Sequence, residues 1–310
     1  MGLKKFLASL FGANSLKEEI KEDSKTETKK EDSKTETKKE DENLLKAIEF
    51  YKKAASQGHA EAKYKLGMYY KDGHGVKQSY YEAFKLFESA AYYEHREAQY
   101  ELAMLYDKGY EDGQKTGHRR TNDIKRYLRS SAEKGYLKAK YELGKFYYFE
   151  YDEKRFPKDY ELAFDCFWQV ADLIEYKYPE YINTVYDSHT QFYLGLFFQN
   201  GYGIPQNYSK ALEHYKNSGI KGYDKAQYEV AIFYKNGYGT DKNYNEAIKW
   251  FELAAKQGHR EAQYELAVCY KNGYGTDKNY NEAIKWFELA AKQGQKEAQY
   301  ELAVYYENKK

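Results

Sequence analysis

Cysteine and proline are scarce in this sequence, with two cysteines and three prolines among 310 residues. Cys166 and Cys269 stand far apart, each inside a helix-like pattern, so the chain lacks a disulfide framework. Such sparse cysteine suits a reducing compartment, and we expect the protein in the cytoplasm. The shortage of proline leaves few helix breakers, which favours long helical stretches.

A strong net charge and long apolar runs are missing as well. Lysine and arginine number 50 against 49 aspartates and glutamates, which gives a formal net charge of +1 at pH 7. Because no global field attracts phosphates, we expect no nucleic-acid partner. No apolar run approaches the length that spans a bilayer.

Aromatic residues, by contrast, make up 18% of the chain, and tyrosine alone contributes 38 residues. Disordered chains are poor in aromatic residues, because they cannot bury enough apolar surface to fold. The composition therefore predicts a mostly helical chain that is packed through aromatic side chains.

Residues 1–16 combine lysines with apolar side chains at helical spacing, which predicts a short amphipathic helix. The apolar positions are Leu3, Phe6, Leu7, Leu10 and Phe11. Three interpretations stay open: an anchor or partner-binding helix with peripheral membrane contact through residues 1–12, a weak secretory signal, or an unremarkable terminus. N-myristoylation is excluded, because Phe6 stands where Ser or Thr is required.

A charged segment follows over residues 17–43. The nonapeptide EDSKTETKK occupies residues 22–30 and recurs at once at residues 31–39. Such a segment cannot bury enough apolar surface to offset the conformational entropy that it loses on ordering. We expect a disordered charged linker.

Two stretches of 36 residues, 235–270 and 271–306, differ at only three positions. A fixed period of this length is typical of stacked supersecondary units. Two half-patterns each occur seven times after the linker, counting the copies inside these two stretches. Both place apolar residues at helical spacing, so each unit is predicted to be a pair of amphipathic helices.

Residues 44–310 are therefore predicted to form an all-α domain of stacked helix pairs, in which each copy covers the apolar face of the one before it. Gly67, Gly144 and Gly195 are expected to let a neighbouring helix approach closely, while aromatic residues fill the wider gaps. The Gly-rich loops are expected to end the first helix of each pair with a left-handed backbone. These loops occupy residues 72–75, 200–203, 236–239 and 272–275.

Insertions lengthen the spacing between repeats in the middle of the chain. They occupy residues 110–122, 150–159 and 172–189. Because stacking does not require them, we expect individual function to concentrate there.

One set of repeat residues resembles the Sel-one-like repeat, a relative of the tetratricopeptide repeat. The residues that carry the resemblance are Ala62, Tyr64, Leu66, Gly67, Tyr70, Gly73, Gly75 and Val76, followed by Glu82-Ala83 and Ala90-Ala91. The resemblance implies a right-handed α-solenoid of about seven repeats with incomplete ends. It also implies an adaptor or scaffold in protein complexes, and bacterial relatives are linked to envelope assembly, motility, signalling and host contact. We expect a monomeric, non-enzymatic protein that binds a protein or peptide partner.

In solenoids of this type the first helix of each pair lines the concave face, where we expect the partner to bind. An aromatic ladder there would suit peptide or glycan capture, although packing between repeats is the alternative interpretation. Its members are Tyr64, Tyr100, Tyr141, Phe192, Tyr228, Tyr264 and Tyr300. A second position, near the helix end, differs between copies and could supply specificity: Lys71, Asp107, Tyr148, Gln199, Lys235, Lys271 and Glu307.

A basic cluster in the first insertion comprises Lys115, His118, Arg119 and Arg120. Contact with an acidic partner and an ordinary solvated loop are the two interpretations.

An enzymatic alternative comes from the penicillin-interacting, cysteine-rich relatives of the repeat family. Ser131-x-x-Lys134, Ser218-x-x-Lys221 and Lys115-Thr116-Gly117 match two of the three β-lactamase motifs, but no Ser-Asp-Asn is present. The scattered histidines show no zinc spacing. We therefore expect no catalytic residues, no metal and no cofactor; envelope glycan binding is a further alternative.

Overall fold

The structure is a computed structural model that describes residues 42–111, 113–117, 120–149 and 158–308. The predicted amphipathic helix at 1–16 and nearly all of the predicted linker at 17–43 lie outside these residues. Helix α1 spans residues 42–56, so helical structure begins two residues before the predicted boundary at residue 44.

The described residues hold fourteen α-helices, which confirms the all-α prediction. Helices that end in the Gly-rich loops, and their equivalents, are called A helices: α2 (Ala60–Asp72), α4 (Arg96–Asp107), α6 (Leu137–Tyr148), α8 (Val185–Asn200), α10 (Asp224–Asn236), α12 (Arg260–Asn272) and α14 (Lys296–Glu307). The alternating B helices are α1, α3 (Tyr80–Tyr92), α5 (Thr121–Glu133), α7 (Tyr160–Tyr176), α9 (Tyr208–Ile220), α11 (Tyr244–Lys256) and α13 (Tyr280–Lys292).

The chain divides into two compact units, the first ending at Arg120 and the second beginning at Thr121. In each unit every helix packs against its neighbours in sequence, as expected for an α-solenoid. Phe84 and Phe87 are fully buried in the first unit, and Phe167, Phe251 and their equivalents fill the second. One repeat therefore supplies the buried surface that the next repeat needs.

Small residues on the A helices allow the close approach that the sequence predicts. A Cβ atom on Gly67 would lie 2.6 Å from Cε1 of Phe87, and one on Gly195 would lie 2.5 Å from the Tyr215 ring. Gly144 is less crowded, because its Cβ atom would lie 3.2 Å from Cβ of Cys166. At Gly67 and Gly195, glycine is required by the aromatic ring that packs on it.

Helix ends follow the predicted capping chemistry. Gly73 ends α2 with φ of 76° and Gly237 ends α10 with φ of 78°, both in the left-handed conformation. In each case the glycine N–H donates to the carbonyl oxygen of a residue in the last turn. At the other end, the Asn243 side chain accepts a hydrogen bond from the Glu246 amide and caps the start of α11.

The insertions add small elements to this helical frame. Strands β1 (Tyr110–Glu111) and β2 (Gln114–Lys115) pair antiparallel within the first insertion, and the Tyr110 ring lies 4.7 Å from that of Tyr80. The insertion at 172–189 extends α7 to Tyr176, forms a short 3₁₀ helix (Pro179–Tyr181) and contributes the start of α8.

Across the described residues, no helix combines the length and the apolar character needed to cross a membrane.

Candidate functional site

Three of the predicted variable-position lysines form ion pairs that join one A helix to the next. Nζ of Lys71 lies 2.8 Å from a carboxylate oxygen of Glu101. Lys235 and Glu265 approach to 2.6 Å, as do Lys271 and Glu301. Each lysine lies in the last turn of its A helix, so the repeat period places the same two charges together in three places.

A buried aromatic residue of the intervening B helix accompanies each pair. We use the word rung for three residues: one near the end of an A helix, a buried aromatic residue of the following B helix, and one in the middle of the next A helix. The three ionic rungs are Lys71/Phe87/Glu101, Lys235/Phe251/Glu265 and Lys271/Phe287/Glu301.

An aromatic rung occupies the equivalent place between α6 and α8. The Tyr148 ring lies 5.3 Å from that of Tyr193, which in turn stacks on Phe167 at 4.5 Å. Offset and edge-to-face ring contacts of this kind stabilise beyond the area that they bury. Here ring packing replaces the ion pair as the link between A helices.

A polar rung follows between α8 and α10 and consists of Gln199, Tyr215 and Glu229. Tyr215 is completely buried, and its hydroxyl donates a hydrogen bond to Oε1 of Gln199. No described residue forms a hydrogen bond or ion pair with the partly buried Glu229 carboxylate. Burial raises the pKa of this carboxyl to about 7.

The remaining variable positions are not part of these rungs. Asp107 is exposed at the end of α4, and Glu307 is exposed at the end of α14. The sequence therefore located a position of changing chemistry. The structure adds that five of its seven residues belong to rungs and that the other two lie exposed at a helix end.

The predicted aromatic ladder packs mainly between consecutive repeats. Tyr64 stacks on His95 at 4.9 Å, and Tyr228 stacks on His259 at 4.8 Å. Tyr141 is buried, whereas Tyr300 is 70% exposed. The other members, all half-buried, are Tyr100, Phe192 and Tyr264. Packing therefore accounts for most of the ladder, and its role in partner binding stays a prediction.

Sequence reasoning missed a structural role for three histidines. Nδ1 of His59 accepts a hydrogen bond from the Ala62 amide at the start of α2, and His95 and His259 do the same for α4 and α12. Burial lowers the pKa of His259, which favours the neutral ring that this cap requires. The available signal was their place, directly before a helix that has no Ser, Thr, Asp or Asn cap.

The basic cluster is only partly within the described residues. His118 and Arg119 lie outside them, whereas Lys115 is exposed in β2. The Arg120 guanidinium lies 5.3 Å from the centre of the Tyr106 ring. The two described members are placed on the surface of the first unit, and their role toward an acidic partner stays a prediction.

The β-lactamase-like motifs do not assemble a serine–lysine pair in α9. Lys221 binds Asp187 at 2.8 Å, and the Ser218 hydroxyl donates to the Ser188 carbonyl oxygen. In α5, Lys134 donates to Ser130 Oγ at 2.9 Å, and Ser131 is buried.

Other chemistry that would suit a catalytic or metal site is limited. Cys166 and Cys269 are buried free thiols, and burial raises the pKa of each to about 12. Within the described ranges, no group of three or more His, Cys, Asp or Glu side chains could hold a metal ion.

A groove is present at the last ionic rung. Its cavity volume is about 340 Å³, and Tyr280, Phe287 and Tyr305 line it together with Lys271 and Glu301. Apolar walls with a few polar groups are typical of sites that take a peptide side chain or small ligand.

Comparison with known protein families gives a match over well more than half of the chain. The model described as Sel1 repeat matches residues 37–59, 60–92, 96–118, 137–171, 188–223, 224–259, 260–295 and 296–308. No curated protein sequence matches the chain.

Solved structures give the same result. The protective antigen c5321 of uropathogenic Escherichia coli, which displays an SLR fold, is 26% identical, with a TM-score of 0.71 over 85% of this chain. The match covers 52% of that protein, so this chain spans about half its length. A Sel1 repeat protein from Oxalobacter formigenes shares the fold, with 24% identity, a TM-score of 0.60 and coverage of 80% of this chain and 96% of that one.

Proposed function

The chain belongs to the Sel1 repeat family, and from that premise we propose that it is a non-enzymatic scaffold that binds a partner protein or peptide. Members of this family are generally protein-interaction scaffolds. Binding takes place on the A-helix side of the repeats, the concave face of a solenoid, with the inserted loops as additional contacts. Specificity comes from positions that change between repeats while the frame stays constant.

The observation that supports this proposal most directly is the series of rungs. Ionic, aromatic and polar rungs occupy one position of a constant helical frame. Stacking of the repeats does not require this variation, because the two nearly identical repeats after residue 235 stack with the same kind of rung, an ionic one. Recognition of an extended partner requires side chains that differ from repeat to repeat on a constant frame, and the rungs provide such side chains.

The groove at the last ionic rung supports the same proposal. Its apolar wall includes Tyr280 and Phe287, while Lys271 and Glu301 supply charge beside it. An anchoring apolar side chain of a peptide would bury its surface here, and the adjacent charges would orient its backbone.

Site-specific photocrosslinking in the full-length chain tests the proposed face. A photoreactive phenylalanine replaces Tyr300 of α14, which is 70% exposed, or Leu289 of α13, which is 46% exposed and serves as the matched B-helix control. We expect the same partner to be captured repeatedly from position 300 and not from position 289. Capture from position 289 alone would contradict binding on the A-helix side.

An assay with a chromogenic β-lactam separates the scaffold from the enzymatic alternative. We expect no turnover above the buffer rate. Turnover that the substitution Ser131→Ala abolishes would overturn the scaffold proposal.

A further inference from the structure

The polar rung keeps the glutamate of the ionic rungs but has Gln199 in place of their lysine. We propose that Glu229 receives a lysine or arginine side chain of the bound partner, at the place where the ionic rungs hold a lysine of the chain itself. This inference rests on the proposed scaffold function and names one chemical feature of the partner, a cationic side chain.

The ionic rungs serve as internal templates for this site. Glu101, Glu265 and Glu301 occupy the same place in their A helices as Glu229, and each accepts a lysine ammonium at 2.6–2.8 Å. The same backbone environment therefore holds a carboxylate at ion-pair distance from a cation in three other repeats. At Glu229 the carboxylate is kept, but the chain supplies no cation from its described residues.

Two coordinated residue changes account for the missing lysine. The buried phenylalanine of the ionic rungs is replaced by Tyr215, whose hydroxyl needs an acceptor once it is buried. Gln199, which stands where Lys235 and Lys271 stand in their repeats, provides that acceptor. A lysine at position 199 could not do so, because an ammonium group only donates hydrogen bonds.

Glu229 is half-buried, so a cation can reach its carboxylate from solvent. In the ionic rungs the lysine side chains are 20%, 27% and 36% exposed, and the paired glutamates are 14%, 17% and 24% exposed. An ammonium group at the equivalent place beside Glu229 would thus be partly exposed. A side chain of a partner can therefore enter from the surface without opening the fold.

Electrostatics favours a cationic occupant over a neutral one. A carboxylate that has lost part of its hydration without gaining a partner is destabilised in its ionised form, and burial raises the pKa of Glu229 to about 7. A lysine or arginine would restore charge-assisted hydrogen bonds to it. Binding would then release a proton near neutral pH and strengthen as the pH rises.

The first test examines the geometry without any partner. The double substitution Gln199→Lys with Tyr215→Phe recreates an ionic rung around Glu229. Carboxyl ¹³C NMR titration of the full-length protein should show the pKa of Glu229 falling by about two units or more. The control Tyr215→Phe alone adds no cation, so it should leave this pKa elevated; an equally elevated pKa in the double variant would overturn the inference.

The second test examines recognition with random linear peptides displayed against the full-length protein. Peptides selected by the natural sequence should contain a lysine or arginine whose replacement by norleucine weakens binding about tenfold or more. The same replacement should have little effect on binding to the Glu229→Gln variant. Glu213→Gln makes the same charge change at an exposed residue of α9 and should leave selection and affinity unchanged.

The outcomes separate this inference from the proposed function. Peptides that bind the natural protein and the Glu229→Gln variant equally well would overturn the cation site and leave the scaffold proposal in place. Failure of every displayed peptide to bind would count against both. Thermal unfolding of each variant, followed by circular dichroism, confirms that the compared proteins are folded.

Discussion

The rungs at Lys235 and Lys271 differ from those at Tyr148 and Gln199, although all four occupy the same position of the repeat. The first two lie in nearly identical repeats and use an ion pair across a buried phenylalanine. The other two use stacked rings and a tyrosine–glutamine hydrogen bond. The helical frame is maintained by small residues, caps and buried rings, so the chemistry between A helices is free to change.

Because the helical frame and the rungs are separate features, substitutions in the frame and in the rungs should have different effects. Changes to the frame should destabilise any repeat, whatever its rung. Changes to the rung should depend on whether an ion pair, a ring or a lone carboxylate is affected. The four predictions below test that difference, from the largest expected effect to the smallest.

Gly195→Ala should destabilise the second unit most, by about 2–3 kcal/mol, because the added Cβ would lie 2.5 Å from the buried Tyr215 ring. Urea denaturation measures the loss. Gly144→Ala is the matched control, because it adds the same methyl group at the equivalent position of α6, where the nearest atoms would lie 3.2 Å away. Equal losses in the two variants would show that ring packing does not select the glycine.

Lys235→Ala should cost about 2 kcal/mol, because it leaves the Glu265 carboxylate partly buried without its cation. The exposed pair of Lys249 with Glu246 provides a comparison, and Lys249→Ala should cost less than about 0.5 kcal/mol. Chemical denaturation at pH 7 compares the two variants. A cost for Lys235→Ala no larger than that for Lys249→Ala would mean that the ionic rungs contribute little to stability.

Glu229→Gln should stabilise the protein by about 1 kcal/mol at pH 8 and have little effect below pH 4.5. The reason is that the raised pKa of Glu229 makes its ionised form unfavourable in the folded state. The natural protein should therefore become less stable as the pH rises from 4.5, the pKa of this carboxyl in the unfolded chain, through about 7, its pKa in the folded protein. Thermal unfolding across this pH range should show no such difference for Glu213→Gln.

His259→Asn should have the smallest pH-dependent effect, about 0.5–1 kcal/mol between neutral and acid pH, beside a pH-independent loss of the stacking of Tyr228 on His259. Burial lowers the pKa of His259 below 6.5, so its capping contribution is present above pH 6.5 and is lost as the pH falls through the folded value. Asparagine caps without titrating, so the variant should lose less stability than the natural protein as the pH falls. Parallel pH profiles of unfolding would contradict a titrating cap.

The sequence predicted much of the frame. The 36-residue period identified helix pairs, and the glycine loops marked helix ends that the structure confirms at Gly73 and Gly237. Gly67 and Gly195 were correctly expected to admit a neighbouring helix. These features are local or strictly periodic, so residue spacing alone reveals them.

The candidate site was predicted less completely. The position shared by Lys71, Gln199 and Lys235 stood out because it varies, but its partners were not evident. In the ionic rungs the partner of the lysine is a glutamate 30 residues further along the chain. Gln199 instead accepts a hydrogen bond from Tyr215 of the intervening B helix. Histidine capping was missed for a related reason, since the choice of ring atom and hydrogen-bond partner depends on the loop conformation.

The sequence by itself determined that this chain is a stack of helix pairs, because amphipathic spacing, glycine caps and a repeated pattern leave each pair with an apolar face that only another copy can cover. Only the tertiary structure decided which side chains meet across that stack. The separation between successive A helices brings Lys235 to Glu265 and leaves Glu229 without a cation among the described residues. Such pairings depend on the register of packed helices in three dimensions, which residue order alone does not specify.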